Sequence, residues 1–224
     1  MGEITKSIPK CLLKVNDRPI LFDTMDKLRR LDIKELTVVR GYQKAMIAGE
    51  AFTTLDNDAY ESTKDLYSLY LAMERLQGNT LILYGDCLYR SHLFADLLEN
   101  DSDIRIVVDA DISTTEKARD LVLCSKAYSN DFFNSGVSLT DIFVDTRRGG
   151  AHGEWTGLIA ANERGCRHIR EAISRMAQKK EIREQSVSDL LRELIQVTPI
   201  RVIYTKGGWL DIDDIFDYLQ AGDF

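Results

Sequence analysis

Apolar residues recur along this chain in two rhythms, and the rhythms alternate. Pro19 to Leu31 reads as a helix: Pro19 suits a first turn, and Leu21, Met25 and Leu28 return at three-to-four spacing. Leu36 to Val39 is a short apolar run closed by Arg40-Gly41, the pattern of a buried strand and turn. Leu66 to Leu76 predicts a second helix, and Thr80 to Tyr84 a strand that stops at Gly85-Asp86. Ser91 is placed to cap a helix running to Leu98, and Ile104 to Val108 is a further buried strand ending in Asp109-Ala110-Asp111. From Leu121 to Leu158 the pattern turns strand-rich, an excursion within the same domain. Two amphipathic helices follow, one presenting Cys166, Ile169, Ile173 and Met176, the other Val187, Leu190, Leu191, Leu194 and Ile195. A last strand, Ile200 to Tyr204, and a short helix, Asp213 to Leu219, complete the pattern.

Alternating strands and helices predict an α/β fold, a Rossmann-like, mostly parallel (mixed) sheet with helices on both faces, in one domain over residues 1–224. Such sheets bind ligands beyond the carboxyl ends of their strands. Three acidic groups fall there: Asp86, Asp109 with Asp111, and Asp211 with Asp213. Asp86 suits Mg²⁺, which takes a few carboxylates plus substrate phosphates, but on pattern alone a turn with Gly85 or a cap on the next helix is the favoured reading. For Asp109 and Asp111 the turn is the favoured reading. Asp211 and Asp213 flank Ile212, so in extended backbone both carboxylates share a side, a costly pairing unless a cation lies between them. The alternative is an acidic helix start at Asp213 or Asp214.

Composition narrows the function. The 224 residues carry a net charge of −7 without a basic stripe, which argues against nucleic acid as the main partner. No apolar run is long enough to span a bilayer, and no signal-peptide core is visible at the N-terminus. Cys11, Cys87, Cys124 and Cys166 form no CxxC pair and read as buried thiols of a cytoplasmic protein. His92, His152 and His168 form no recognisable triad and read as structural.

The first fifteen residues, MGEITKSIPKCLLKV, carry a resemblance. Ile4-Thr5, Pro9-Lys10, Leu12-Leu13 and Val15 match the end of the signature of sugar-phosphate and phosphocholine nucleotidyltransferases, Leu-Thr-x-x-x-Pro-Lys-x-Leu-Leu-x-Val. DNDAYESTKDLYSLYLA, YGD and WLDID resemble later segments of that superfamily. VVRGYQKAMI, YGDCLYR, HGEWTGLIAAN, VSDLLRELI and GGWLDIDD look like cytidylyltransferase domains fused to phosphoenolpyruvate phosphomutases in phosphonate biosynthesis. The resemblance implies a Mg²⁺-dependent cytidylyltransferase that moves CMP from CTP to a phosphonate or phosphate acceptor and releases pyrophosphate. It implies Lys10 and Asp86 as the catalytic pair, and Asp86, Asp211 and Asp213 as metal ligands. Gly2, Thr5, Lys10, Asn57 and Ser68 would contact nucleotide and Glu154 the acceptor, while Asp189 would brace its helix or line the site.

The chain departs from the family at its start. The signature's first strand and Gly-rich loop are missing, with only Gly2 where the loop would close. An upstream start or a cut from a longer chain is the favoured reading, and loss of the loop's N–H groups implies impaired activity unless another segment supplies them. The implied partners are small-molecule substrates, with a homo-oligomer or a joined mutase domain compatible with the sequence. The rivals are a sugar-1-phosphate nucleotidylyltransferase using UTP or dTTP, and a non-catalytic nucleotide-binding module.

Overall fold

The structure is a computed structural model that describes residues 7–112, 118–130, 136–145, 150–179 and 182–224. After a 3₁₀ turn at Lys10–Leu12, β1 (Lys14–Val15) and β2 (Arg18–Pro19) form a small hairpin, and α1 (Ile20–Arg30) follows directly. Next come β3 (Thr37–Arg40) and β4 (Thr53–Asp56), which pair in parallel. The predicted second helix divides into α2 (Asp65–Leu71) and a 3₁₀ turn at Met73–Arg75. Then β5 (Thr80–Ile82) and β6 (Cys87–Tyr89) lead into α3 (Ser91–Leu98). Ser91 does not cap α3. Arg90 holds the N-cap position without a side-chain bond, and Ser91 is already helical.

The second half supplies β7 (Ile104–Asp109), β8 (Arg119–Cys124), β9 (Leu139–Asp145) and β10 (Gly153–Ala161). It closes with α4 (Glu163–Gln178), α5 (Val187–Leu194), β11 (Ile200–Thr205), β12 (Trp209–Asp211) and α6 (Ile215–Gln220). The principal sheet is mixed, in the order β11-β7-β10-β8-β9 with β5 also paired to β10. The parallel relation holds for β7 with β11, whereas β10, from the strand-rich middle, runs against β5, β7 and β8.

Alternation along β7 explains why helices cover both faces. Ile104, Ile106 and Val108 join the core under α4 and α5, while Val107 joins Leu93, Phe94 and Leu97 of α3 and Leu28 of α1. Helix α4 buries the predicted stripe of Cys166, Ile169, Ile173 and Met176. Its entry is close-packed: Asn162 caps Gly165 N–H at 2.9 Å, and a Cβ on Gly165 would stand 1.9 Å from the Asp103 carbonyl oxygen. Gly165→Ala is therefore expected to destabilise the fold by about 1–3 kcal/mol or more through overpacking, read as a lower urea midpoint.

Strand β10 changes partners midway. Its register breaks between Trp155 and Ile159, where Gly157 adopts φ 82°. A side chain there would also meet the Tyr84 ring at 2.4 Å, so both conformation and space call for glycine. The break is held by Tyr89 Oη donating to the Thr156 carbonyl at 2.9 Å and Trp155 Nε1 donating to the Leu158 carbonyl at 3.1 Å. The Tyr84 ring packs edge-on against Trp155 beside it, with centroids 5.9 Å apart.

Candidate functional site

The site gathers residues from both ends of the chain. Asp86 lies between β5 and β6, four residues past the end of β5. β6 pairs antiparallel with β12, and Cys87 stands opposite Asp211. Directly opposed residues share a face of the ribbon, so Asp211 and the thiol come together, with Asp86 adjacent. Donor atoms of Asp86, Cys87 and Asp211 all lie within 4.8 Å of one another. Cys87 Sγ is 3.6 Å from Asp211 Oδ1.

Pro9 opens the 3₁₀ turn that carries Lys10. The Lys10 ammonium reaches Asp213 Oδ1 at 2.8 Å and Asp86 Oδ2 at 3.6 Å, more than two hundred residues away in the first case. Three carboxylates thus surround one lysine. Burial draws the Lys10 pKa down, but the hydrogen bond to Asp213 and the charges of Asp86, Asp213 and Asp211 more than offset it, so the amine is held protonated. Burial raises Asp86, with Lys10 opposing. Asp211 is pushed up to about 7 by burial and by the negative charges of Asp86 and Asp213. Burial and Asp86 also push the Cys11 thiol up to about 11, so it is protonated at neutral pH.

The raised Asp211 has a sign that can be checked. Between its unfolded value, about 4, and about 7, the folded chain binds the extra proton more tightly. Its contribution to stability is present below the lower value and is lost as pH rises through the upper one. Asp211→Asn, which cannot ionise, is expected to gain stability over the parent as pH rises from 5 to 8 in metal-free buffer. Unfolding midpoints across that range check it.

The donor chemistry fits a divalent cation. Asp86 and Asp211 are hard oxygen ligands of the kind Mg²⁺ takes, and the local excess of negative charge is what such an ion neutralises. Asp213, expected as a third ligand, is engaged with Lys10. Its neighbour Asp214 caps α6, accepting from the N–H groups of Phe216 and Asp217 at 2.8 and 3.0 Å. The segment therefore brings one carboxylate, Asp211, to the candidate site and uses another, Asp214, to cap α6.

The remaining expected residues divide into smaller groups. Asn57 is buried and donates to Thr63 Oγ1 at 3.1 Å and Ser68 Oγ at 3.2 Å, tying the loop after β4 to α2. Glu154, buried on β10, pairs with Arg119 of β8. Burial raises its pKa, which Arg119 opposes and Asp109 and Asp120 reinforce. Asp189 completes a capping box with Ser186 at the start of α5. Asp109 accepts from Trp209 Nε1 at 2.8 Å and from the N–H groups of Asp111 and Gly207, bracing the approach to β12. His152 Nδ1 accepts from Cys124 N–H at 3.0 Å, a structural role. Gly2 and Thr5 lie outside the described residues.

Sequence reasoning missed Cys87 and Arg119. Cys87 adjoins Asp86 in YGDCLY, but only the pairing of β6 with β12 reveals that its thiol meets Asp211. Arg119 opens a strand with no motif around it, and nothing in the sequence links it to Glu154.

A mixed sheet under two helix layers, with lysine and aspartates gathered past a strand end, defines a nucleotidyltransferase-type α/β protein. The chain belongs to the MobA-like NTP transferase domain family, which matches residues 1–185. It is 29% identical over 107 residues to the choline-phosphate cytidylyltransferase of Streptococcus pneumoniae, covering 44% of this chain and 42% of that enzyme. Across the curated relatives it matches, the chain spans between 24% and 51% of their length. Its fold is that of the CTP:phosphocholine cytidylyltransferase structure from S. pneumoniae, at TM-score 0.74 and 18% identity over 100% of this chain and 92% of that one. The inositol-1-phosphate CTP transferase of T. maritima superposes at TM-score 0.74 and 13% identity, covering 100% and 89%. Among the described residues no helix is long and apolar enough to cross a membrane.

Proposed function

We propose that this chain is a Mg²⁺-dependent cytidylyltransferase, transferring CMP from CTP to a phosphonate or phosphate oxygen with release of pyrophosphate. The observation that carries the reading is the meeting of Lys10, Asp86 and Asp211, three residues from distant segments, past the end of β5. Its likeness over 107 residues to one relative named as a cytidylyltransferase favours CTP over the other triphosphates.

The acceptor oxygen is already anionic near neutral pH, so attack on the α-phosphorus needs no general base. Alignment and charge neutralisation are the main demands. Lys10 would exchange Asp213 for triphosphate oxygens, and its raised pKa keeps the charge it brings. Asp86 and Asp211 would hold the cation, which supplies charge neutralisation at the phosphates when bound. Asn57 with Ser68 would shape the nucleotide side, and Glu154 the acceptor side, its geometry set by Arg119.

The test is pyrophosphate release with Mg²⁺, in a grid of CTP, UTP, dTTP, ATP and GTP against phosphonates, phosphocholine and sugar 1-phosphates. Release with CTP and a phosphonate or phosphocholine is the expected result. Release confined to UTP or dTTP with a sugar 1-phosphate overturns it in favour of the sugar-nucleotide reaction. CTP binding without release under every acceptor overturns it in favour of a binding module.

A further inference from the structure

Cys87 is left without a task by that reading, yet its sulfur lies inside the candidate cation site. The thiol is 3% exposed and belongs to a donor set with two carboxylates. The spacing is informative. Tetrahedral ligands at about 2.3 Å for sulfur and about 2.1 Å for a carboxylate oxygen stand roughly 3.6 Å apart. Adjacent oxygens of octahedral Mg²⁺, at about 2.1 Å, stand only roughly 3 Å apart. Cys87 Sγ and Asp211 Oδ1 are 3.6 Å apart. The same spacing serves an S–H···O hydrogen bond in the free protein, where burial and the charges of Asp211 and Asp86 hold the thiol protonated, so a cation that displaces the proton meets this sulfur and oxygen already at ligand separation.

We propose that Asp86, Cys87 and Asp211 form a thiolate-bearing site that takes borderline-soft divalent cations, Zn²⁺ or Co²⁺, in competition with Mg²⁺. The inference deepens the proposed function and rests on its cation site. Sulfur favours such ions over Mg²⁺, which binds oxygen and sheds water reluctantly, so the chain's own ligands set the preference. Cross-strand register makes the site: β12 against β6 places Asp211 opposite Cys87, and a serine at position 87 would keep the register while removing the soft donor.

The experiment titrates the metal-free chain with Co²⁺ alone, without nucleotide, and reads the near-ultraviolet sulfur-to-cobalt charge-transfer band, with calorimetry for affinity. The expected result is a saturable band that Zn²⁺ abolishes near stoichiometry and Mg²⁺ only in large excess. Cys11→Ser should keep the band, which controls for the other thiol near Asp86. Cys87→Ser should lose it and bind Co²⁺ about tenfold or more weakly, since even outer-shell partners of a metal contribute about 10–100-fold. Saturating Co²⁺ without a band, or a band retained in Cys87→Ser, overturns the proposal. If Cys87→Ser lacks a folded circular dichroism spectrum, Asp211→Asn decides: it should lose most of the band, and an undiminished band overturns the site. A chain that releases pyrophosphate with Mg²⁺ and CTP but shows no band refutes the thiolate site alone. A chain with the band but no release refutes the reaction alone.

Discussion

Asp86→Asn is expected to reduce Mg²⁺-dependent pyrophosphate release by about three orders of magnitude, the order of several kcal/mol that a positioned cation supplies. Asparagine keeps the shape of the side chain and removes its charge. Two consequences separate a cation-binding role from a structural one. First, the fold should survive, because burial and the charge of Asp213 already make this carboxylate costly to ionise. Second, the Mg²⁺ concentration for half-maximal rate should rise together with the fall in kcat. Turnover within a few-fold of the parent at saturating Mg²⁺ would remove Asp86 from the site. A collapse of the circular dichroism spectrum would assign it to the fold instead.

Replacing Lys10 by Met should cost about 10²–10³ in kcat, the usual loss when one preorganised charge donor is removed from a developing anion. Met keeps the stem and removes the ammonium. The substitution also strips the three carboxylates of the lysine that faces them. Lys10 holds the pKa of both Asp86 and Asp211 down, so its loss should raise them further. The rising limb of the pH–rate profile is accordingly expected to move to higher pH in Lys10→Met, an effect that loss of packing alone would not produce. Lys10→Arg, which keeps the charge, should leave that limb near its parent position. An unmoved limb in Lys10→Met would mean that the lysine does not face the ionising carboxylates in the working protein.

The elements were legible wherever a buried face repeated. The stripe on α4 and the apolar run of β7 stand where their periods put them, because a helix or strand that must bury one face leaves that face in the sequence. Short-range capping was legible only in part. Asp214 caps α6 and Asp189 completes the capping box of α5 as their acidic type allows, but Ser91 does not cap, because Arg90 takes the cap position and the helix begins one residue earlier than a serine cap requires. Cap chemistry follows backbone geometry, which a single residue type does not fix.

The candidate site divides along the same line. Asp86, Asp211 and Asp213 were visible as acids past strand ends, and Lys10 only through the resemblance that its Pro-Lys segment carries. Which carboxylate does what was not visible. Asp213 goes to Lys10, Asp211 to Cys87 and Asp86, and Asp109 to Trp209, although all four are acids near strand ends. By itself the sequence determined the α/β alternation, the buried helix faces and the types of group available for phosphate and cation chemistry. Those follow from periodicity and side-chain chemistry, both local properties of the chain. Only the tertiary structure decided that Cys87 stands with the aspartates and that Arg119 holds Glu154. Those contacts are set by the register of β12 on β6 and of β10 on β8, and register is fixed by long-range pairing that no local stretch of sequence encodes.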